Sequence, residues 1–129
     1  MYFGIVETES LEQQSLLTKY VPAKVIPQEV ESADTKLWHL NVLKIEDAQG
    51  EEAAVRFAEV MLHGWYAVIW NDEIYYVILP KKAFQLRRGD GQSKDFEAMK
   101  IYAIENGVQE EYLDFNKNFV GYLKYAAEL

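Results

Sequence analysis

Residues 65–79 read WYAVIWNDEIYYVIL and carry the clearest structural signal in the chain. Two aromatic and β-branched runs flank Asn71-Asp72-Glu73, the pattern of an antiparallel hairpin. Both faces of the pair are apolar. Trp65, Ala67 and Ile69 alternate with Tyr66, Val68 and Trp70 on one strand, and Tyr75, Val77 and Leu79 alternate with Ile74, Tyr76 and Ile78 on the other. A sheet with one solvated face alternates apolar with polar residues instead. Each face of this hairpin therefore needs a cover: helices on one, and on the other more chain, a second subunit or a ligand.

Before the hairpin, residues 51–62 read as the clearest helix, with Ala54, Phe57, Ala58 and Met61 on one stripe and Glu51, Glu52, Arg56 and Glu59 facing water. Gly50 breaks the chain before it, and Gly64 closes it as a C-cap. Residues 36–46, KLWHLNVLKIE, alternate as a strand, with Leu37, His39, Asn41, Leu43 and Ile45 opposite Trp38, Leu40, Val42 and Lys44. Beyond the hairpin, Pro80-Lys81-Lys82 turns into a third strand at residues 83–86, and the loop 87–94 leads to a second helix at 95–106 that Gly107 ends. Residues 116–129 form a last helix with Phe119, Tyr122, Leu123 and Ala126 as its apolar stripe and Asn116 as cap. Near the start, residues 10–20 have leucines at helical spacing and a Ser10/Gln13 capping box, while Pro22 and Pro27 make residues 23–26 a connector or edge strand.

The order β-α-β-β-β-α over residues 36–106 places the chain in the α+β class: a two-layer antiparallel sheet with helices on one face, a ferredoxin-like plait being the leading topology. A length of 129 residues is one domain. Its core is expected at about 36–115, with the N-terminal segment 1–35 and the C-terminal helix 116–129 packing on it.

Composition bounds the function. A net charge of −8 argues against nucleic acid and against an anionic membrane surface as partners. The chain has no cysteine, so disulfides, thiolate catalysis and iron–sulfur clusters are excluded. The N-terminus lacks a signal-peptide pattern and no apolar run is long enough to cross a bilayer, so a cytoplasmic protein is expected. No metal or cofactor motif stands out.

The order of several short motifs resembles an uncharacterised family of small prokaryotic proteins. The motifs are Glu9-Ser10-Leu11, Trp38-His39, Gly64-Trp65-Tyr66-Ala67, Trp70-Asn71, Phe84, and Gly107-Val108 through Glu110-Glu111 to Leu113-Asp114-Phe115. Gln109 stands where that pattern has proline, and the chain runs on past Phe115. The resemblance implies a shared fold and supplies no activity.

Among chemical candidates, His39 lies mid-strand, where a hydrogen-bonded structural imidazole is the ordinary outcome, and His63 stands at a helix C-terminus. Adjacent acids such as Glu51-Glu52 and Glu110-Glu111 do not converge on one point, so they make poor catalytic dyads. Arg87-Arg88-Gly89-Asp90-Gly91 has the makings of an anion loop but no phosphate-loop spacing. What remains is an excess of aromatic residues, the mark of an interface or a ligand groove. The first expectation is a non-enzymatic homodimer that self-associates through Trp65, Tyr66, Tyr75 and Tyr76. The second is a small-molecule binding protein with an aromatic pocket at His39 and Trp70, closed by Arg87 and Arg88. An enzyme in which His39 meets a carboxylate, Asp114 being one partner, is the third. An unidentified protein partner is a further alternative.

Overall fold

The hairpin forms as its sequence dictates. Strands β4 (Ala67–Trp70) and β5 (Ile74–Leu79) pair antiparallel, Trp70 opposite Tyr75. The Asn71 side chain accepts the backbone N–H groups of Glu73 and Ile74, both at 2.9 Å, closing the turn. A computed structural model describes residues 1–29 and 37–129, so Lys36, the first residue of one expected strand, lies outside the described residues.

Around the hairpin are β1 (Tyr2–Glu7), β2 (Pro22–Glu29), β3 (Leu37–Ile45) and β6 (Lys82–Arg87). All six strands join in one sheet of order β2-β3-β1-β4-β5-β6, antiparallel at every pairing. The helices are α1 (Leu16–Lys19), α2 (Gly50–Val60), α3 (Lys94–Glu105) and α4 (Phe115–Ala127). The α+β class and the β-α-β-β-β-α succession hold. Strands β3 and β4 both run antiparallel to β1, hence parallel to each other, and α2 is the crossover that joins them.

The layering differs from the two layers expected. On one face α2 supplies Ala53, Ala54, Phe57 and Ala58 against Val6, Leu43, Ile69 and Ile78. On the other, Phe96 and Met99 of α3 and Phe115 and Phe119 of α4 cover Val68, Trp70, Tyr75 and Val77. Helices thus lie on both faces, which is why both faces of the hairpin are apolar. The ferredoxin-like plait is not confirmed. Full burial of so many large side chains is the main favourable term, at roughly 1.5–3 kcal/mol for each against exposure.

Three local expectations change. Strand β1 sits in the middle of the sheet, so the N-terminal segment is part of the core and not an addition to it. Ser10 caps no helix: its hydroxyl donates to Glu7 O at 2.6 Å, and helix is confined to α1, while Leu11 bridges to Met61. Asp114, not Asn116, caps α4 by accepting the Lys117 N–H, and Leu123 is exposed whereas Phe115, Phe119, Tyr122 and Ala126 turn inward. The edge strand at Pro22–Glu29 is longer than residues 23–26, and two prolines blunt it against further pairing.

Candidate functional site

Alternation on the strands decides which side chains meet. Residues Ile5 and Glu7 of β1, Trp38 and Leu40 of β3 and Val68 of β4 share the face covered by α4. The C-terminal half of α4 brings Tyr122 and Tyr125 over the same end of the sheet, and Gln28 of the edge strand stands opposite Trp38. Between them lies a cavity of about 460 Å³, within the range of small-ligand sites.

Its walls are aromatic. Trp38 and Trp65 form a tilted pair with ring centroids 4.7 Å apart. Tyr66 presents its ring edge-on to Phe115 at 5.9 Å, and its hydroxyl interacts with that of Tyr122. Burial pushes both tyrosine hydroxyls above their ordinary range. Tyr112, half exposed on the turn before α4, completes the rim.

Glu7 lines this cavity and is its charged member among the described residues. Its Oε2 is closed off from solvent without a hydrogen-bond partner. Burial pushes the carboxyl up to about 7, the Glu9 charge adds to the rise, and the His39 ring opposes it. Taking the carboxyl out of water penalises its ionised form, which is why burial is the largest cause of the rise.

His39 does meet a carboxylate, and the partner is Glu9. Glu9 Oε1 accepts the His39 backbone N–H at 2.7 Å, and Oε2 meets Nδ1 at 2.8 Å. Burial alone would raise the Glu9 carboxyl, but the hydrogen bonds from His39 outweigh it and hold the group below the usual range. The pair shares the face of Asn41, whose amide donates to Val6 O and Thr8 Oγ1 at 2.9 and 2.8 Å. His39 and Glu9 line none of the cavity described above. Asp114 is occupied as a helix cap.

The other residues singled out by sequence do not converge. Trp70 lies on the opposite face from His39, 2% exposed beneath Phe119 and Tyr122, with which its centroids are 5.6 and 5.7 Å apart. Arg88 donates to Asn71 O at 2.9 Å and lies over the Phe119 ring, 4.3 Å from its centroid. Arg87 is exposed beside Glu73, Asp90 and Asp95, whose charges oppose anion capture there. Tyr75 and Tyr76 are buried within the chain, and only Trp65 and Tyr66 of the four aromatic residues assigned to an interface reach the surface. Among the described residues no group of histidine and acidic side chains has metal-ligand geometry, and no helix is long and apolar enough to cross a membrane.

No family model, no curated protein and no solved structure matches the chain. Sequence reasoning missed Glu7, Gln28, Tyr112, Tyr122 and Tyr125 as site residues. Tyr122 was visible on an apolar helical stripe, but nothing local distinguishes a ring over a cavity from a ring in the core.

Proposed function

We propose that the protein binds a small, largely apolar molecule in the aromatic cavity between α4 and the sheet. The observation that carries this reading is a cavity of about 460 Å³ walled by tryptophan and tyrosine rings, with a single carboxyl among its described lining residues, that of Glu7. The few polar groups of a ligand site fix orientation while the apolar walls provide contact.

Self-association, the first expectation from sequence, rested on a bare second sheet face. That face is covered by α3 and α4 within one chain, so the physical motive for a dimer through the sheet is gone. The reading of an enzyme built on His39 gains a carboxylate partner in Glu9, but neither residue lines the aromatic cavity.

A fragment screen on isotope-labelled protein tests the proposal. Bound fragments are expected to shift the indole N–H signals of Trp38 and Trp65 and the backbone signals of Glu7 and Tyr66, leaving Trp70 unmoved. Shifts that cluster elsewhere, or none from a diverse set, would sink it.

A further inference from the structure

The composition of the cavity wall narrows the ligand. Among the described lining residues there is no lysine, arginine or histidine; the sole charge is that of Glu7, and the remaining polar groups are the Gln28 amide, the indole N–H groups of Trp38 and Trp65, and tyrosine hydroxyls. The face of an aromatic ring carries negative potential, so rings gathered about a site favour a cation over an anion. A carboxylate at the same site has the same preference and adds a hydrogen-bond acceptor. Its Oε2 receives no hydrogen bond from the protein among the described residues. The surroundings reinforce the sign, since the chain as a whole carries a net charge of −8.

The geometry points to an organic ammonium ion as the ligand: a protonated amine on an aromatic or aliphatic body, its N–H donated to Glu7 and its charge faced by the rings of Trp38, Trp65, Tyr66 and Tyr122. This inference rests on the proposed small-molecule site and specifies its ligand class. An uncharged alcohol of the same shape fills the same volume but leaves the carboxylate unneutralised. A carboxylic acid brings a second negative charge against Glu7.

Proton balance gives the inference a sign. The titratable groups that act on Glu7 are Glu9 from the turn after β1, His39 from β3 and the hydroxyl of Tyr66. Near neutrality part of the Glu7 population carries a proton, because its carboxyl is pushed up to about 7. An ammonium ion binds the ionised form, so the proton of the neutral form leaves to the buffer on binding. Affinity for an amine therefore rises as pH increases through neutrality. If Glu7 served instead as a protonated donor to a carbonyl ligand, affinity would fall over the same range.

The test uses the full chain and three probes of one shape: phenethylamine, 2-phenylethanol and phenylacetate. Binding is followed by calorimetry and by the indole signals of Trp38 and Trp65, at pH about 6 and about 8, between which phenethylamine stays charged. Phenethylamine is expected to bind at least about tenfold tighter than the alcohol at the higher pH, with phenylacetate weakest. Its affinity should rise from the lower pH to the higher, with proton release at the lower. Glu7→Gln should erase the preference for the amine and the pH dependence of its binding, and near-ultraviolet dichroism like that of the parent shows that the variant is folded. Alcohol or acid binding as tightly as the amine overturns the ammonium assignment and leaves the small-molecule site standing. Failure of all three probes overturns the assignment too, and the broader site is then judged by the fragment screen.

Discussion

Gly50 lies flat against the ring of Tyr2, so close that a β-carbon at residue 50 would overlap three ring atoms. The glycine opens α2 with ordinary helical backbone, φ −60, so its identity reflects this contact and not a need for special torsions. Tyr2 in turn belongs to β1, and its ring leans on Tyr76 at 6.2 Å between centroids. One missing side chain therefore sets how closely the crossover helix approaches the sheet.

Gly50→Ala is expected to destabilise the fold by about 1–3 kcal/mol, because overpacking forces ring or helix to shift. Gly121 provides the contrast. It lies inside α4 with open space around its α-carbon, so Gly121→Ala should stabilise by about 0.5–1 kcal/mol through helix propensity and a less flexible unfolded chain. Urea melts of the two variants check both signs.

What the sequence could reveal divides along the same line between local and tertiary causes. The hairpin, β3, α2 and α3 announce themselves by period, because their faces are uniformly buried or uniformly wet. Strand β1 does not. Its six residues contain Gly4, a residue that disfavours strands in isolation, yet a β-carbon there would stand 3.1 Å from Ile69 Cγ1 in the neighbouring strand. Residues 10–20 mislead for the converse reason: leucine spacing suggests helix, but Glu12 N–H bonds to Val60 O and Leu62 N–H to Ser10 O, so much of this backbone is spent on α2's exit. The candidate site was half legible. Trp38, Trp65 and Tyr66 stand out as surplus aromatics, whereas the role of Glu7 depends on β1 lying between β3 and β4, which no local pattern reports.

The central place of β1 carries its own prediction. A fragment of residues 36–115, the core suggested by sequence, lacks the strand that both β3 and β4 pair with. It also lacks nearly all of α4. It should remain unfolded by circular dichroism and by amide dispersion in solution, while the full chain folds cooperatively. A folded fragment would show that β3 and β4 can pair directly, contrary to the sheet order described above.

Glu7 makes stability depend on pH in an unusual direction for a carboxyl. Folding raises its affinity for a proton from the ordinary value of 4.5 to about 7, chiefly through burial. The folded chain thus binds more protons than the unfolded chain between these values. The resulting stabilisation is complete below 4.5 and is lost as pH rises through about 7. Since the group is partly open to solvent, the loss is about 1–2 kcal/mol. Glu7→Gln should remove this decline, leaving the variant more stable than the parent at pH about 8 and similar to it near pH 4–5. Denaturant midpoints across that range measure it.

Glu9 works in the opposite sense and is coupled to Glu7. Its hydrogen bonds from His39 hold its carboxyl low despite burial, so their stabilisation is present above the ordinary carboxyl range and fades as acid protonates the group. Glu9→Gln should therefore cost most at neutral pH, with the deficit shrinking in acid. Because the Glu9 charge contributes to the raised Glu7 carboxyl, the same variant should lower the Glu7 titration midpoint. Carbon-detected NMR titration of the glutamate carboxyls would read that shift, and an unmoved or rising midpoint would contradict the coupling.

Phe119 ties the last helix to the hairpin. Its ring stands edge-on to Trp70 at 5.6 Å and to Tyr75 at 5.2 Å, and Arg88 caps its outer face at 4.3 Å. Each such aromatic contact adds about 0.5–1.5 kcal/mol beyond the area it buries. Phe119→Ala should accordingly cost about 3–5 kcal/mol, since the rigid rings around it cannot collapse into the space. Its neighbour Val120 is 61% exposed, and Val120→Ala should fall within about 0.5 kcal/mol of the parent. Near-ultraviolet dichroism would follow Trp70 in both variants, with loss of signal in the first and retention in the second. Equal costs would mean that α4 is held by something other than this aromatic cluster, and the cavity beneath its C-terminal half would then have lost its roof support as well.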